Sequence, residues 1–256
     1  MRPLKNSPHT LLPPMRNAPL ETTMLPVCAR LATWAPSNNY DIRKPQLIVL
    51  HFTDQDSAQQ ALDTLRTANS DGPVSAHYLI GRDGHVYQLV SDVDRAWHAG
   101  GGRWGTITDL NSASIGIELD NAIGEPYSET QLTALLRLLD DLTTRLSIPG
   151  TQVIGHADLA PTRKRDRGAL FPWQRLAEAG YGLWPQGPLQ DPPAGFDPWM
   201  AMAAVGYPLS DRAAAVRAFH RHYRRRDDGE DPQASFDAED LRILHALVRQ
   251  RLLQKP

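Results

Sequence analysis

Three well-separated segments of the chain each end an apolar run with a side chain that can bind a metal ion or move a proton. His51 follows the run "LIVL", Glu118 lies within "IGIEL", and His156 follows "VIG". Because ligands in open α/β sheets bind at the ends of the strands, these side chains can converge on one site. Two imidazoles and the carboxylate of Asp166 would give Zn²⁺ three ligands and leave the fourth tetrahedral position to water, which is the pattern of a catalytic zinc site.

Hydrolysis at such a site also needs proton transfer. Bound zinc lowers the pKa of its water toward about 7 and polarises a substrate carbonyl. Glu118 can take a proton from the water and deliver it to a leaving amine, and Lys164 can stabilise the charge that develops on the former carbonyl oxygen. Lys164 and Asp166 are two residues apart, so their side chains would point the same way in an extended loop.

Each of these residues also has a purely structural interpretation. A histidine at a strand end is more often hydrogen-bonded than bound to a metal, and no compact motif such as HExxH links His51 to His156. Lys164 and Asp166 could form a solvated ion pair worth less than about 1 kcal/mol. Glu118 could lie at the surface, although its apolar neighbours would make an unpaired carboxylate costly. Spacing alone therefore leaves the metal site open.

The strands that must position these residues are visible in the pattern of apolar residues. "QLIVLHFT" predicts a central strand buried on both faces. "SAHYLIGRDGHVYQLV" predicts a β-hairpin that turns at the Asp83-Gly84 pair. "SIGIELDN" and "TQVIGH" predict two more strands, so that His51, Glu118 and His156 each lie at or near a strand end.

Helices alternate with these strands. "SAQQALDTLRTA" predicts a helix after the first strand, and a second, long helix is predicted to begin at the capping residue Ser128. The predicted buried stripe of this long helix consists of Leu132, Leu135, Leu136, Leu139, Leu142 and Leu146. A terminal helix is predicted around Trp173 to Ala179. The whole order favours an α/β fold with a mixed β-sheet flanked by helices.

The chain divides into four predicted regions. Residues 1–45 are predicted to form an extended N-terminal segment, residues 46–185 a catalytic domain, and residues 186–198 a Pro-rich linker. Residues 199–256 are predicted to form a small C-terminal all-α domain of two or three helices. Its two apolar stripes are Val216, Phe219 and Tyr223, and Leu241, Leu244, Val248 and Leu252.

The composition limits the class of protein. The net charge of −2 gives no reason to expect nucleic acid as a partner. The single cysteine, Cys28, excludes an intramolecular disulfide framework and the paired thiolates common in structural zinc sites. We expect no transmembrane segment, because no apolar run approaches about 20 residues. The polar, Pro-rich N-terminus gives no recognisable export signal, and the oligomeric state is left open.

Six segments in order resemble one family, the zinc-dependent N-acetylmuramoyl-L-alanine amidases of the cell-wall recycling and envelope type. This family is related in fold to phage amidases and peptidoglycan recognition proteins. The resemblance runs from about Ile48 to Pro185. The segments are "IVLHFT", "SAHYLIGRDGHVYQLV", "RAWHAGGGRWG", "LNSASIGIELDN", "VIGHADLAPTRKRDRG" and "LFPWQRLAEAGYGLWP".

This resemblance implies an amidase/peptidoglycan-recognition-like fold and a specific role for each candidate residue. It implies one zinc ion held by His51, His156 and Asp166, with Glu118 as the catalytic carboxylate and Lys164 as the stabiliser of the transition state. The implied substrate is peptidoglycan or a muropeptide. The implied location is the periplasm or cell envelope of a bacterium, with the cytoplasm as the alternative because no export signal is visible.

Further residues are expected to form the substrate cleft. We expect His77, Trp97 and His98 to line it, and Arg103 to meet a peptide carboxylate. The glycines around "AWHAGGGRW" would form a shallow groove in which a sugar ring stacks on the exposed aromatic side chain. For His77, a buried hydrogen-bonded position in the hairpin is an equal alternative.

Some features depart from the family pattern or extend beyond it. Arg167 stands where many members have proline, and Ala76 stands where phage-type relatives place a catalytic tyrosine. "VRAFHRHYRR" resembles a helix of the peptidoglycan-binding domain found in envelope members. The alternative is a helix that packs on the amidase and whose six arginines between Arg212 and Arg226 only form a solvated face.

Two other functions remain possible at this point. The first is a non-catalytic peptidoglycan-recognition module, which would typically lack a metal ligand. The second is a metal-independent glycosidase that uses Glu118 and Asp120 as an acid/base pair, since alternate residues of a strand point to the same face.

Overall fold

The computed structural model describes residues 43–67, 72–166 and 168–253. The strands are β1 (Leu47–Phe52), β2 (Tyr78–Ile80), β3 (Val86–Gln88), β4 (Ser114–Leu119) and β5 (Val153–Gly155). The α-helices are α1 (Ala58–Arg66), α2 (Leu110–Ala113), α3 (Glu129–Leu146), α4 (His156–Leu159), α5 (Trp173–Glu178), α6 (Pro198–Val205), α7 (Arg212–Phe219) and α8 (Ala238–Leu253). A 3₁₀ turn spans Gly150–Gln152, and a π-helical turn spans His220–Arg224. Residues 1–42 of the predicted N-terminal segment lie outside the described residues, and so does Arg167.

The five strands form one mixed sheet in the order β3-β2-β4-β1-β5. β1 pairs in parallel with β4 and β5, β2 pairs in parallel with β4, and β3 pairs antiparallel with β2. The β2–β3 hairpin turns where expected, with Gly84 at a φ of +83° that an L side chain rarely adopts. The predicted mixed sheet flanked by helices is confirmed.

The register of the central strands places the candidate residues side by side. His51 is the Cα partner of Glu118 across the β1–β4 pair. Leu50 is the partner of Gly155 across the β1–β5 pair, so His156 follows at the level of His51. Because β1, β4 and β5 run in parallel, all three side chains lie at the same edge of the sheet.

One face of the sheet packs against α3. Ser128 caps this helix by accepting a hydrogen bond from the backbone N–H of Gln131. The leucines that are fully buried against the sheet are Leu132, Leu135, Leu139 and Leu142, while Leu136 and Leu146 are partly buried beside them. The predicted stripe is therefore confirmed, with its two flanking members at the edge of the core.

The opposite face packs against the C-terminal helices. Leu47 and Val49 of β1 and Ile154 of β5 share one hydrophobic cluster with side chains of α6, α7 and α8. Of the first predicted stripe, Val216, Phe219 and Tyr223 are all buried. In the described residues these helices complete the core of the sheet, and the domain boundaries at 186–198 stay a prediction.

The second predicted stripe is only partly correct. Leu244 is fully buried and Val248 packs partly buried against the core, whereas Leu252 is 80% exposed. Ile243 and Leu247, which the prediction left out, are also buried in this core, because two apolar stripes overlap on this helix and packing selects among their members.

The arginines of this region do not all form a solvated face. Arg217 and Arg221 are buried, and Arg217 donates a hydrogen bond to the backbone carbonyl of Asp231.

Across the described ranges, no helix is both long and apolar enough to cross a bilayer.

Candidate metal centre and cleft

Three ligand atoms from separate segments meet at the edge of the sheet. The Nδ1 atoms of His51 and His156 are 2.9 Å apart, and Oδ2 of Asp166 lies 2.8 Å from the His156 nitrogen and 3.3 Å from the His51 nitrogen. Atoms bonded to zinc at about 2.0–2.1 Å in tetrahedral directions lie roughly 3.3–3.4 Å apart. The triangle therefore needs only a slight expansion to hold one zinc ion.

A chain of hydrogen bonds sets the orientation of His51. Ser114 donates its hydroxyl proton to the carbonyl of Leu110, so its oxygen can accept from Nε2 of His98 at 3.4 Å. Nδ1 of His98 then accepts from Nε2 of His51 at 3.0 Å. Because the proton of His51 is on Nε2, the lone pair of its Nδ1 points toward His156 and Asp166.

His156 has a corresponding partner on its far side. Its Nε2 lies 2.9 Å from the carbonyl oxygen of Ala99, which can only accept, so Nε2 carries the proton and Nδ1 presents a lone pair. Arg163 donates to the same carbonyl at 2.7 Å and to the carbonyl of Gly101 at 2.6 Å, which fixes the loop that orients His156.

Asp166 completes the set as an anion. Burial acts to raise its pKa, but the neighbouring His156 and His51 outweigh burial and hold the pKa of this carboxyl well below its usual range. Its Oδ1 is buried with no hydrogen-bond partner among the described residues. In the metal-binding tautomers, two imidazole lone pairs and a carboxylate would repel one another unless a cation lay between them. A proton on Nδ1 of an imidazole can be that cation, which is how the histidines lower the pKa of Asp166, and a zinc ion fits the same place.

Glu118 and Lys164 lie in the cleft beside the three ligand atoms. Oε1 of Glu118 is 3.9 Å from Nδ1 of His51, and the carboxylate is 14% exposed. Lys164 is half-buried and lines the same cleft, and within the described ranges its ammonium makes no hydrogen bond or ion pair. The carboxylate of Glu118 and the ammonium of Lys164 thus lie in the same cleft as the three ligand atoms.

The cleft itself has a volume of about 360 Å³ and opens to solvent. Trp97 is 48% exposed at its rim, and His98 forms part of its wall. Val74 and Ile123 add exposed apolar surface to the same rim. The burial of His98 lowers its pKa well below the ordinary value, so this imidazole is neutral and can accept from His51.

Two residues expected in the cleft lie elsewhere. His77 is completely buried behind His98, where its Nδ1 accepts from the backbone N–H of Gly116 and its Nε2 contacts Arg43. Arg103 is exposed and lines a different depression beside Leu159. Neither residue lines this cleft, and the alternative structural position of His77 is the one observed, while contact of Arg103 with a substrate stays a prediction.

The acid/base pair of a glycosidase is not formed. Asp120 follows the last residue of β4, is buried, and approaches Arg82 at 3.6 Å instead of lining the cleft. Asp120 therefore does not share the cleft with Glu118; the other carboxylates among the described residues that line it are those of Asp54 and the metal-site Asp166.

Sequence reasoning missed the residues that support the ligands. The sequence assigns Arg163 no more than a supporting or solvated position, and it identifies Ser114 and Gly116 only as residues of a predicted strand. A Cβ atom added at Gly116 would lie 2.4 Å from Cγ of His98, so the close packing of this ring requires glycine. The glycine inside the strand pattern of "SIGIEL" was the available signal, since such a glycine often marks a close approach.

Comparison with known proteins matches the chain to one protein family and to several of its members. Residues 41–169 match the protein family described as N-acetylmuramoyl-L-alanine amidase. The chain is 40% identical over 157 residues to the N-acetylmuramoyl-L-alanine amidase AmiD of Escherichia coli (strain K12). This match covers 55% of this chain and 55% of AmiD. The chain thus matches about half the length of this relative. It is 34% identical over 164 residues to the 1,6-anhydro-N-acetylmuramyl-L-alanine amidase AmpD of Enterobacter cloacae, covering 57% of this chain and 88% of AmpD.

Solved structures extend the likeness beyond the matched family region. One similar structure is that of AmiD from E. coli in complex with the substrate anhydro-N-acetylmuramic acid-L-Ala-D-γ-Glu-L-Lys. Its TM-score to this chain is 0.69 at 30% sequence identity, and the match covers 84% of this chain and 93% of the AmiD chain. AmpDh3 from Pseudomonas aeruginosa in complex with an anhydromuramic pentapeptide has a TM-score of 0.71 at 29% identity and covers 88% of this chain and 98% of its own.

Proposed function

The chain belongs to the N-acetylmuramoyl-L-alanine amidase family, and from that premise we propose that it hydrolyses the amide bond between N-acetylmuramic acid and the L-alanine of peptidoglycan stem peptides. The observation that carries the proposal is the convergence of His51, His156 and Asp166 beside a carboxylate and a lysine in one open cleft. Among relatives of this fold, a non-catalytic recognition module would lack one of the ligands, and here the set is complete.

Zinc is the metal that best suits this ligand set. Nδ1 of His51, Nδ1 of His156 and Oδ2 of Asp166 would hold the ion, and the open side of the triangle faces the cleft. When bound, zinc would supply Lewis-acid polarisation of the scissile carbonyl and a lowered pKa for the attacking water. The hydrogen bonds from His51 to His98 and from His156 to Ala99 keep both imidazoles in the metal-binding tautomer.

Glu118 moves the protons of the reaction. Its carboxylate accepts a proton from the attacking water as the water oxygen bonds to the amide carbon, and then passes a proton to the nitrogen as the C–N bond breaks. The products are the carboxylate of the muramoyl lactyl group and the free amine of L-alanine. The short distance from Oε1 to the ligand triangle and the partial burial of the carboxylate support this role.

Lys164 stabilises the negative charge on the former carbonyl oxygen. Its ammonium has no competing partner in the described part of the chain and lies in the wall of the cleft, so its charge is available to a bound substrate. Trp97 at the rim offers an aromatic face to a sugar ring, and its neighbour His98 forms part of the cleft wall.

The solved complexes of AmiD and AmpDh3 suggest 1,6-anhydro-muropeptides as the first substrates to test. Purified full-length protein is incubated with anhydro-muropeptide, ordinary muropeptide and intact sacculi, and the products are identified by mass spectrometry. We expect release of free stem peptide with the glycan left intact. Shortened glycan with the peptide still attached would refute the amidase assignment, and metal analysis of the same preparation would refute zinc if no stoichiometric zinc were found.

The location and the role of the C-terminal helices complete the proposal. We place the enzyme in the periplasm or cell envelope of a bacterium, because intact peptidoglycan lies there. The cytoplasm, where recycled fragments would be met, is the alternative. Fractionation of the native host with an antibody against the chain decides between them.

Binding of the inactive Glu118→Gln variant to sacculi tests whether residues 199–256 act as a peptidoglycan-binding domain.

A further inference from the structure

A buried carboxylate, Asp158, joins the metal site to the C-terminal helices. Asp158 lies in the one-turn helix α4, two residues after the ligand His156, and is 3% exposed. Its Oδ2 accepts from the backbone N–H of Gly155, the residue that immediately precedes His156, at 2.9 Å. The carboxylate therefore fixes the turn from β5 into α4 on which the ligand is mounted.

The other donors to Asp158 come from the C-terminal region. Nδ1 of His222 lies 2.8 Å from Oδ2, and the hydroxyl of Tyr207 donates to Oδ1 at 2.7 Å. Tyr207 follows α6, and His222 lies in the π-helical turn after α7, so two separate parts of the region reach the same carboxylate. A buried carboxylate is costly unless its lone pairs are satisfied, so its position depends on these donors.

The ring of His222 is itself held in place. It stacks on the indole of Trp173, with ring centroids 3.9 Å apart and an angle of 10° between the planes. Its Nε2 is buried and has no hydrogen-bond partner among the described residues, which assigns the proton to Nδ1 as the donor to Asp158.

A weaker contact holds the loop that carries the ligand Asp166. Arg165, between Lys164 and Asp166, donates to Asp227 at 2.9 Å, and Arg221 approaches the same carboxylate at 3.5 Å. The Arg165–Asp227 pair is exposed and contributes little on its own. It nevertheless ties the loop of Asp166 to the same C-terminal region that holds the turn of His156.

We propose that Tyr207 and His222 are positioning residues for the metal site, which act through Asp158 to hold His156 in the geometry that binds zinc. The C-terminal helices are on this view part of the metal centre, whether or not they also bind glycan. The proposal rests on the zinc site described under the proposed function and adds residues outside the cleft to it.

Paired variants of the full-length chain separate the hydrogen bond from the packing. His222→Phe keeps a ring on Trp173 but removes the donor to Asp158, whereas His222→Asn keeps an N–H near the Nδ1 position but removes the stacked ring. Leu244→Ala is the control, because it removes a fully buried side chain from the same helical region without touching Asp158. Zinc affinity is measured by competition with a chelator on samples whose fold is verified by circular dichroism, and the absorption spectrum of Co²⁺-loaded protein reports the ligand geometry.

We expect His222→Phe to weaken zinc binding by about 10–100-fold and to alter the Co²⁺ spectrum, as changes to the partners of metal ligands do. His222→Asn should keep most of the affinity, and Leu244→Ala should lower the melting temperature while leaving the affinity unchanged. Unchanged affinity in His222→Phe would overturn the proposal, as would an equal loss in Leu244→Ala.

Two further results are decisive. If His222→Phe does not fold, Tyr207→Phe, which removes a single hydroxyl, is measured in the same way, and wild-type affinity in that variant overturns the proposal. If the unaltered chain binds no zinc, the proposed function fails and this inference fails with it. If the unaltered chain binds zinc and releases stem peptide but the variants do not differ from it, only the positioning role is refuted.

Discussion

Replacing Gly116 by alanine tests how strictly the far side of the metal site is packed. The new Cβ would lie 2.4 Å from Cγ and 2.6 Å from Nδ1 of the His98 ring. Carbon atoms in contact normally lie about 3.5–4.0 Å apart, so the ring must retreat by more than about 1 Å. The hydrogen bond of 3.0 Å from Nε2 of His51 to this ring would then be broken.

Two consequences of different size are expected. Forcing an extra methyl into this packed position should lower the free energy of unfolding by about 1–3 kcal/mol. Releasing His51 from its partner should weaken zinc binding by about 10–100-fold. The assays are urea denaturation of the zinc-free protein and chelator competition for zinc.

Gly101→Ala is the matched control, because no atom lies within 4 Å of a Cβ built there. The double variant Gly116→Ala/His98→Ala removes the clash without restoring the partner of His51. Its stability should therefore exceed that of Gly116→Ala, while its zinc affinity should stay low. Wild-type zinc affinity in Gly116→Ala would refute the argument that His98 orients the ligand.

The remaining predictions concern catalysis and pH. Glu118→Gln should lower kcat by about 10²–10⁴-fold because the proton acceptor is lost, and metal analysis should find its zinc content unchanged. Lys164→Met should lower kcat by about 10²–10³-fold while KM changes little, and steady-state kinetics in which only KM rises would contradict the oxyanion role. Burial lowers the pKa of His77 from 6.5 to about 4, so the unfolded chain binds a proton in this interval that the folded chain does not. Stability should therefore be full above pH 6.5 and fall toward pH 4, by at most about 1.4 kcal/mol per unit for this group. Urea denaturation of His77→Asn should give a shallower fall than the unaltered chain, and parallel pH curves would contradict the burial argument.

Much of the fold could be predicted because periodicity reports burial directly. The apolar run before His51 and the leucines of α3 specify a central strand and an amphipathic helix. The convergence of His51, Glu118 and His156 also followed from the sequence, because the carboxyl ends of parallel strands meet at one edge of a sheet. Asp166 could be suggested as a third ligand from its carboxylate alone, but only the family resemblance assigned it that role, because it lies in a loop where no periodicity constrains its position.

The sequence by itself therefore determined the elements, the edge of the sheet that carries the site, and the ligand types. Only the tertiary structure decided which polar side chains face the cleft and which are buried. His77 and Trp97 are both expected from the sequence to line the cleft, yet one is completely buried and the other is half exposed. From the sequence, Asp158 is either a supporting or a solvated residue, and only the fold shows that Tyr207 and His222, 49 and 64 positions later, donate to its buried carboxylate. The physical reason is that an apolar pattern reports whether a segment is buried, whereas the partner of a polar side chain is fixed by segments distant in sequence that only the folded chain brings together.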